Sequence, residues 1–341
     1  MPQNIITNLW QPGTTGMFAR LAWQCMSTFR SSDYLGGCNG ARILLEPQND
    51  WSVNKGLDFA IDQLKLWRKN HFSDSISMAD LIVLAGNLEI EELGGNKMEF
   101  CGGRTDDASS NHDASRFLES NQISSILGKA NEGEHLRSFI DLMGLTLEEY
   151  AAIHGAGFAI GHKGYKDPEK ECGGLFCLRN PSHTGDRQLS NIFFKEITNP
   201  THLWTKDTDR VDGKCHKAID DPNLCMYSVD FQFKFDPELN AIAEKYAANN
   251  ELFKANFASA WVKLASADMF YGPVQNRCDK EEIPTTTTTT IKSKSPKPTE
   301  IPPGNCTCPE QEACESGGSN MREFQIVWHI TIFAIAVIYF N

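Results

Sequence analysis

The sequence predicts a mainly helical fold, and three observations carry that prediction. Apolar residues recur at a spacing of three and four through most of the first 278 positions, side chains suited to helix N-caps stand at the head of several of these stretches, and two-residue alternation is scarce. At 341 residues, 40% of them hydrophobic and 10% aromatic, the chain has the material for one large core or two ordinary ones.

The first element is RLAWQCMSTFR, Arg20 to Arg30, which reads as an amphipathic helix. Its Arg20, Trp23 and Gln24 fall three and four apart and therefore share one face, an arrangement that suits a reaction site and equally suits ordinary helix surface. Gly56 to Phe72 follows, with Leu57, Ile61, Leu64 and Trp67 on one stripe. Ser77 to Leu93 opens on a capping pair, Ser77 and Asp80, and is apolar nearly all round at its start, so it belongs in the core. Glu134 to Met143 makes another helix, and Thr146 with Glu149 forms a capping box for the next. MYSVDFQFKF alternates briefly and reads as a short hairpin arm. Asp236-Pro237 places an N-cap and a first-turn proline before Leu239, Ile242, Ala243 and Tyr246, and Phe253, Phe257, Trp261 and Leu264 repeat the helical spacing once more.

Composition narrows the function. The net charge of -12 and a sequence pI near 5.2 offer no basic stripe for phosphates, which excludes a nucleic-acid binder; the one Lys cluster, IKSKSPKP, lies in low-complexity sequence. Eleven cysteines fit no zinc pattern. Cys172 and Cys177, with no matching His pair, read as thiols or a disulfide. No internal repeat, phosphate-cradling glycine loop or nucleophile elbow is present, and ESGG at Glu315 to Gly318 lies in the tail with no surrounding fold.

The sequence divides into a body, 1–278, a Thr/Pro-rich stalk with a Cys-containing linker, 279–320, and an apolar end, 321–341. The stalk EEIPTTTTTTIKSKSPKPTEIPP has almost nothing to bury and suits O-glycosylation, and Asn305-Cys306-Thr307 is an N-glycosylation sequon. FQIVWHITIFAIAVIYF, Phe324 to Phe340, is about 17 residues or roughly 26 Å as a helix, slightly short of a hydrocarbon core of about 30 Å. Preceded by Ser316, Gly317, Gly318 and Ser319, it suits either a membrane anchor or a GPI attachment signal. MPQNIITNLWQPGTT lacks the regions of a signal peptide. The expectation is a membrane-attached protein on the extracellular face, present here as an incomplete copy of a longer chain.

From about Thr15 to Gly272 the ordered segments RLAW, STFRSSDYLGGCNGARILLEPQNDW, ISMADLIVLAGN, Gly102 to Asp106, HLRSFIDLMGLTLEEYAAIHGAG, LSNIFFKEI, VDFQFKFDPELNAIAEKYA and ASAWVKLASADMF resemble the class I haem peroxidases. The group holds the ascorbate peroxidases and the catalase-peroxidases, and the likeness is notable to the carboxy-terminal half of the latter. The resemblance implies two helical lobes holding haem b between them, with the family's first helix missing here. It implies hydrogen peroxide and a reductant as partners, a distal His and Arg to break the O–O bond, and a proximal His on iron backed by an Asp.

Carried over position by position, the resemblance gives Arg20 as the distal Arg, Trp23 as the distal aromatic and Asp230 as the proximal Asp. Gln24 stands where the distal His belongs, and the proximal His position falls on Gly157 or Phe158. A carboxamide cannot take a proton from peroxide, which forfeits general acid–base help of roughly 10²–10⁴-fold, and neither Gly nor Phe binds iron. Asp230 is thus expected to lack its partner. His154 and His162, one turn to either side, are the candidate replacement ligands, or else surface or capping histidines. Thr105 to Glu149 contains no Tyr for the cross-link on which catalase activity depends in the catalase-peroxidases. Two expectations follow: a catalytically degenerate protein that keeps the fold, or a haem-dependent peroxidase with an unusual ligand.

Overall fold

The computed structural model describes residues 14–72, 75–108, 132–162, 175–177, 187–207, 215–269 and 278. The stalk, Asn305 and the apolar run lie outside them, as does everything before residue 14. Among the described residues are nine helices: α1 Met17–Met26, α2 Asp58–His71, α3 Met78–Glu92, α4 Glu132–Leu142, α5 Leu147–Ile160, α6 Ile192–Thr198, α7 Gln232–Phe235, α8 Pro237–Ala248 and α9 Asn250–Ser266. Three short strands, β1 Trp204–Lys206, β2 Cys215–Ala218 and β3 Cys225–Tyr227, form an antiparallel sheet in that order, with Trp204 opposite Ala218 and Cys215 opposite Tyr227.

The helices fall into two groups. In the first, α1 packs on α3 with α2 beside both; in the second, α5 packs on α9 and α6, and α8 on α6 and α7. The groups meet where Trp261 of α9 donates its indole N–H to Asn87 of α3 at 2.8 Å. Gly86, in the same turn of α3, has no room for a side chain against Ala22 of α1.

Local chemistry explains most helix starts. Thr146 and Glu149 form the expected reciprocal box on α5. Asp236 caps α8 by accepting from the N–H groups of Glu238 and Leu239, with Pro237 in the first turn. Ser77 caps α3 by accepting from Asp80 N–H. The Asp80 carboxylate does not reach back, however; it accepts from Gly103 N–H at 2.6 Å and from Arg104 Nη1 at 2.9 Å. The Gly102–Asp106 stretch is thereby a clamp on α3, since Asp106 also accepts from the N–H groups of Met78 and Ala79.

Two expectations are corrected. The opening helix ends at Met26, and all ten of its residues are buried, so it is neither amphipathic surface nor continuous to Arg30. Its N-terminal N–H groups are satisfied by Glu89 of α3, which accepts from Gly16 at 2.9 Å and Ala19 at 2.8 Å, a buried carboxylate at the positive end of the helix. The hairpin arm stops at Tyr227: Asp230 accepts from Tyr227 N–H at 2.7 Å and turns the chain into a short 3₁₀ stretch and α7. Among the described residues no helix is long and apolar enough to cross a membrane.

Four described residue sets show disulfide bonding: Cys25–Cys38, Cys101–Cys278, Cys215–Cys225, and Cys177, which is also disulfide-bonded. No group of three metal-ligating side chains is assembled among the described residues.

Candidate functional site

The site is built by three elements. Helix α1 carries Arg20, Trp23 and Gln24; helix α5 carries Tyr150, His154 and Gly157; and the segment Leu175–Cys177 lies against both. All are buried.

On the α5 side, Asp230 has a partner after all, which corrects the expectation drawn from the missing proximal His. His154 Nε2 lies 2.6 Å from Asp230 Oδ1, and His154 Nδ1 lies 3.2 Å from the Tyr150 hydroxyl. With Nε2–H donated to the carboxylate, the neutral ring presents Nδ1 as the acceptor for Tyr150 O–H. Both nitrogens are then committed. The ring is further enclosed by Phe193 and Phe233 at centroid distances of 4.9 and 4.8 Å. His154 is fully buried rather than a surface or capping residue.

His162 is buried too, two residues beyond the end of α5. Its backbone N–H donates to Phe176 O at 2.7 Å, which fastens the chain after α5 to the Leu175–Cys177 segment.

Phe176 occupies the centre. Its ring stacks on Trp23 at 5.7 Å and leans on Trp261 at 5.5 Å. A Cβ at Gly157 would stand 2.9 Å from Phe176 N and 3.2 Å from its ring. Trp23 and Gly157, one of the two positions where the resemblance puts the iron ligand, thus meet the same phenylalanine.

A haem fit requires an open imidazole nitrogen on the α5 side and a gap between α1 and α5. Among the described residues, both nitrogens of His154 are engaged, Gly157 and Phe158 offer none, and Phe176 lies between Trp23 and Gly157, so none of these three positions fits as the iron ligand; His162 is the remaining imidazole near the end of α5. A cavity of roughly 330 Å³ lies between α3 and α9 beside Cys101 and Cys278 and is lined in part by Asn87, Arg104 and Val262.

On the α1 side, Arg20 donates through Nη2 to Val53 O at 2.6 Å and Lys55 O at 2.9 Å. Burial pulls its pKa down to about 10, which leaves it charged at neutral pH. Gln24, 2% exposed, is beside it on the same helix face. The arrangement offers a cation and a carboxamide but no base among these three side chains.

Sequence reasoning missed Tyr150, Phe176 and Glu89. Tyr150 was within reach, since it precedes His154 by four residues on one helix. Phe176 gave no signal, because its neighbours come from distant segments.

The chain matches the peroxidase family model over residues 3–249. It is 31% identical to a catalase-peroxidase of Sphingopyxis alaskensis over 282 residues, covering 75% of this chain and 36% of that protein. A catalase-peroxidase of Aeromonas salmonicida is 32% identical over 266 residues, covering 73% and 36%, and one of Pyrenophora tritici-repentis is 31% identical over 268, covering 74% and 34%. The chain belongs to the peroxidase family. It spans about a third of the length of these curated relatives.

Proposed function

We propose that this chain is a peroxidase-family protein that keeps the fold without haem chemistry, attached to a membrane through its C-terminal tail and acting by binding or display on the extracellular face. The carrying observation is the pairing of His154 with both Tyr150 and Asp230 while Phe176 lies against Gly157. It supports the reading because a proximal ligand needs a nitrogen free to meet iron. Gln24 supports it further, as a carboxamide cannot serve as the general base for peroxide. The Thr/Pro-rich stalk, the sequon at Asn305 and the apolar run support attachment outside the cell, and disulfide-bonded cysteines suit that compartment.

A second reading, a haem b-dependent peroxidase reducing hydrogen peroxide, draws on Arg20, whose Nε and Nη1 are buried without a hydrogen-bond partner. Titrating haem into the purified chain and following the Soret band separates the two. The expected result is no shifted band at haem well above the protein concentration. A stoichiometric shifted band overturns the proposal, and its loss in His154→Ala or in His162→Ala identifies which of the two is the ligand. Release from intact cells by a phosphatidylinositol-specific phospholipase tests the attachment, and the absence of any membrane-bound fraction refutes it.

A further inference from the structure

The described arginines differ in how their charge is met. Arg30 faces Asp33, Arg42 faces Asp107, Arg68 faces Asp106, Arg104 faces Asp80 and Asp268, and Arg137 faces Asp236 and Glu238. Arg187 is held near Glu89 electrostatically. Arg20 is the exception. It has 0% exposure, its Nη2 is spent on two carbonyl oxygens, and no carboxylate among the described residues stands against it. One N–H on Nε and two on Nη1 are left without an acceptor.

A buried charge without a counter-charge is among the more costly arrangements in a protein interior, and native structures resolve it by pairing. The carbonyls of Val53 and Lys55 contribute partial charges but do not neutralise a guanidinium. Trp23 lies one helical turn on, with Phe176 stacked on it.

We propose that Arg20 binds a small inorganic monoanion of halide size, chloride foremost, at Nη1. The chemistry selects that class. A monoanion balances one guanidinium, accepts the N–H groups from a single point, and brings no donors or second charge that would in turn need partners. A sulfate or phosphate dianion would need a second cation, and none stands against Arg20 among the described residues. The proposal rests on the haem-free reading, since haem would bring its own ligands to this face.

The test uses the full chain, checked for the absence of Soret absorbance so that failure of the haem-free reading is recognised separately. Its thermal midpoint is followed as bromide replaces gluconate at constant ionic strength, with Arg20→Met run beside it. A ligand that binds the native state alone raises the midpoint with the logarithm of its concentration once that exceeds Kd, by about a few degrees at a hundredfold excess. That rise is expected in the parent and not in Arg20→Met. A parallel response of the two proteins overturns the proposal. Should Arg20→Met fail to fold, anomalous diffraction from parent crystals in bromide decides: a bromide peak beside Nη1 supports the site, and water or no density there refutes it.

Discussion

His154 and Asp230 lie 2.6 Å apart with neither side chain exposed, joining helix α5 to the turn that follows β3. The second carboxylate oxygen of Asp230 holds Tyr227 N–H, and the second nitrogen of His154 meets Tyr150, so four residues share one buried polar network. Removing one member strands the others. His154→Ala is expected to lower unfolding stability by about 3–5 kcal/mol, measured by urea denaturation, because an uncompensated Asp230 remains inside. A loss below about 1 kcal/mol would contradict the network.

Placing a His at Gly157, one of the two positions to which the resemblance assigns the family's iron ligand, is expected to fail as a repair. Gly157→His drives a side chain into Phe176 and should cost roughly 1–3 kcal/mol through overpacking, with no Soret band on adding haem. Spectroscopy and a denaturation curve on the same sample give both readouts. Haem bound by the single variant would show that Phe176 yields easily.

The pH response is expected to contain a contribution from His202. Burial alone would lower its pKa, but hydrogen bonds to Glu196 at 2.7 Å and Asp220 at 2.8 Å outweigh that and hold it above the ordinary histidine value. A raised folded-state pKa means that the stabilisation is complete below about pH 6.5, the unfolded value, and is lost as pH rises through the folded one. His202→Gln should therefore flatten the fall in stability over that alkaline-going window. Identical pH profiles for the two proteins would exclude His202 as the source.

Cys101 and Cys278 are 177 positions apart, so their bond closes a loop around α4 to α9. In the chain-entropy account a loop of that length is worth roughly 5 kcal/mol through the unfolded state. The double variant Cys101→Ser, Cys278→Ser is expected to unfold at clearly lower denaturant while keeping its helical circular dichroism. An unchanged midpoint would show that the unfolded chain is already compact.

Much of the fold was legible in the sequence because its determinants are local. Thr146 with Glu149, and Asp236 before Pro237, set helix starts within four residues, and Phe253, Phe257 and Trp261 became the buried face of α9 as their spacing required. The candidate site was legible in part: Arg20, Trp23 and Gln24 do share a helix. Its centre was not, because Phe176 meets Trp23 and Gly157 only through the folded chain, and the partner of Asp230 is set by a packing of segments 76 residues apart. MYSVDFQFKF misled for a related reason. Alternation predicts a strand, but the Asp230 carboxylate gains more by turning to Tyr227 and His154.

The position of Phe176 also bears on supply. A fold whose interior is completed by a dissociable group has a stability that follows the concentration of that group. Here the ring between Trp23, Trp261 and Gly157 is part of the polypeptide and arrives with synthesis. On the haem-free reading proposed above, the interior closes in a setting where no prosthetic group is delivered.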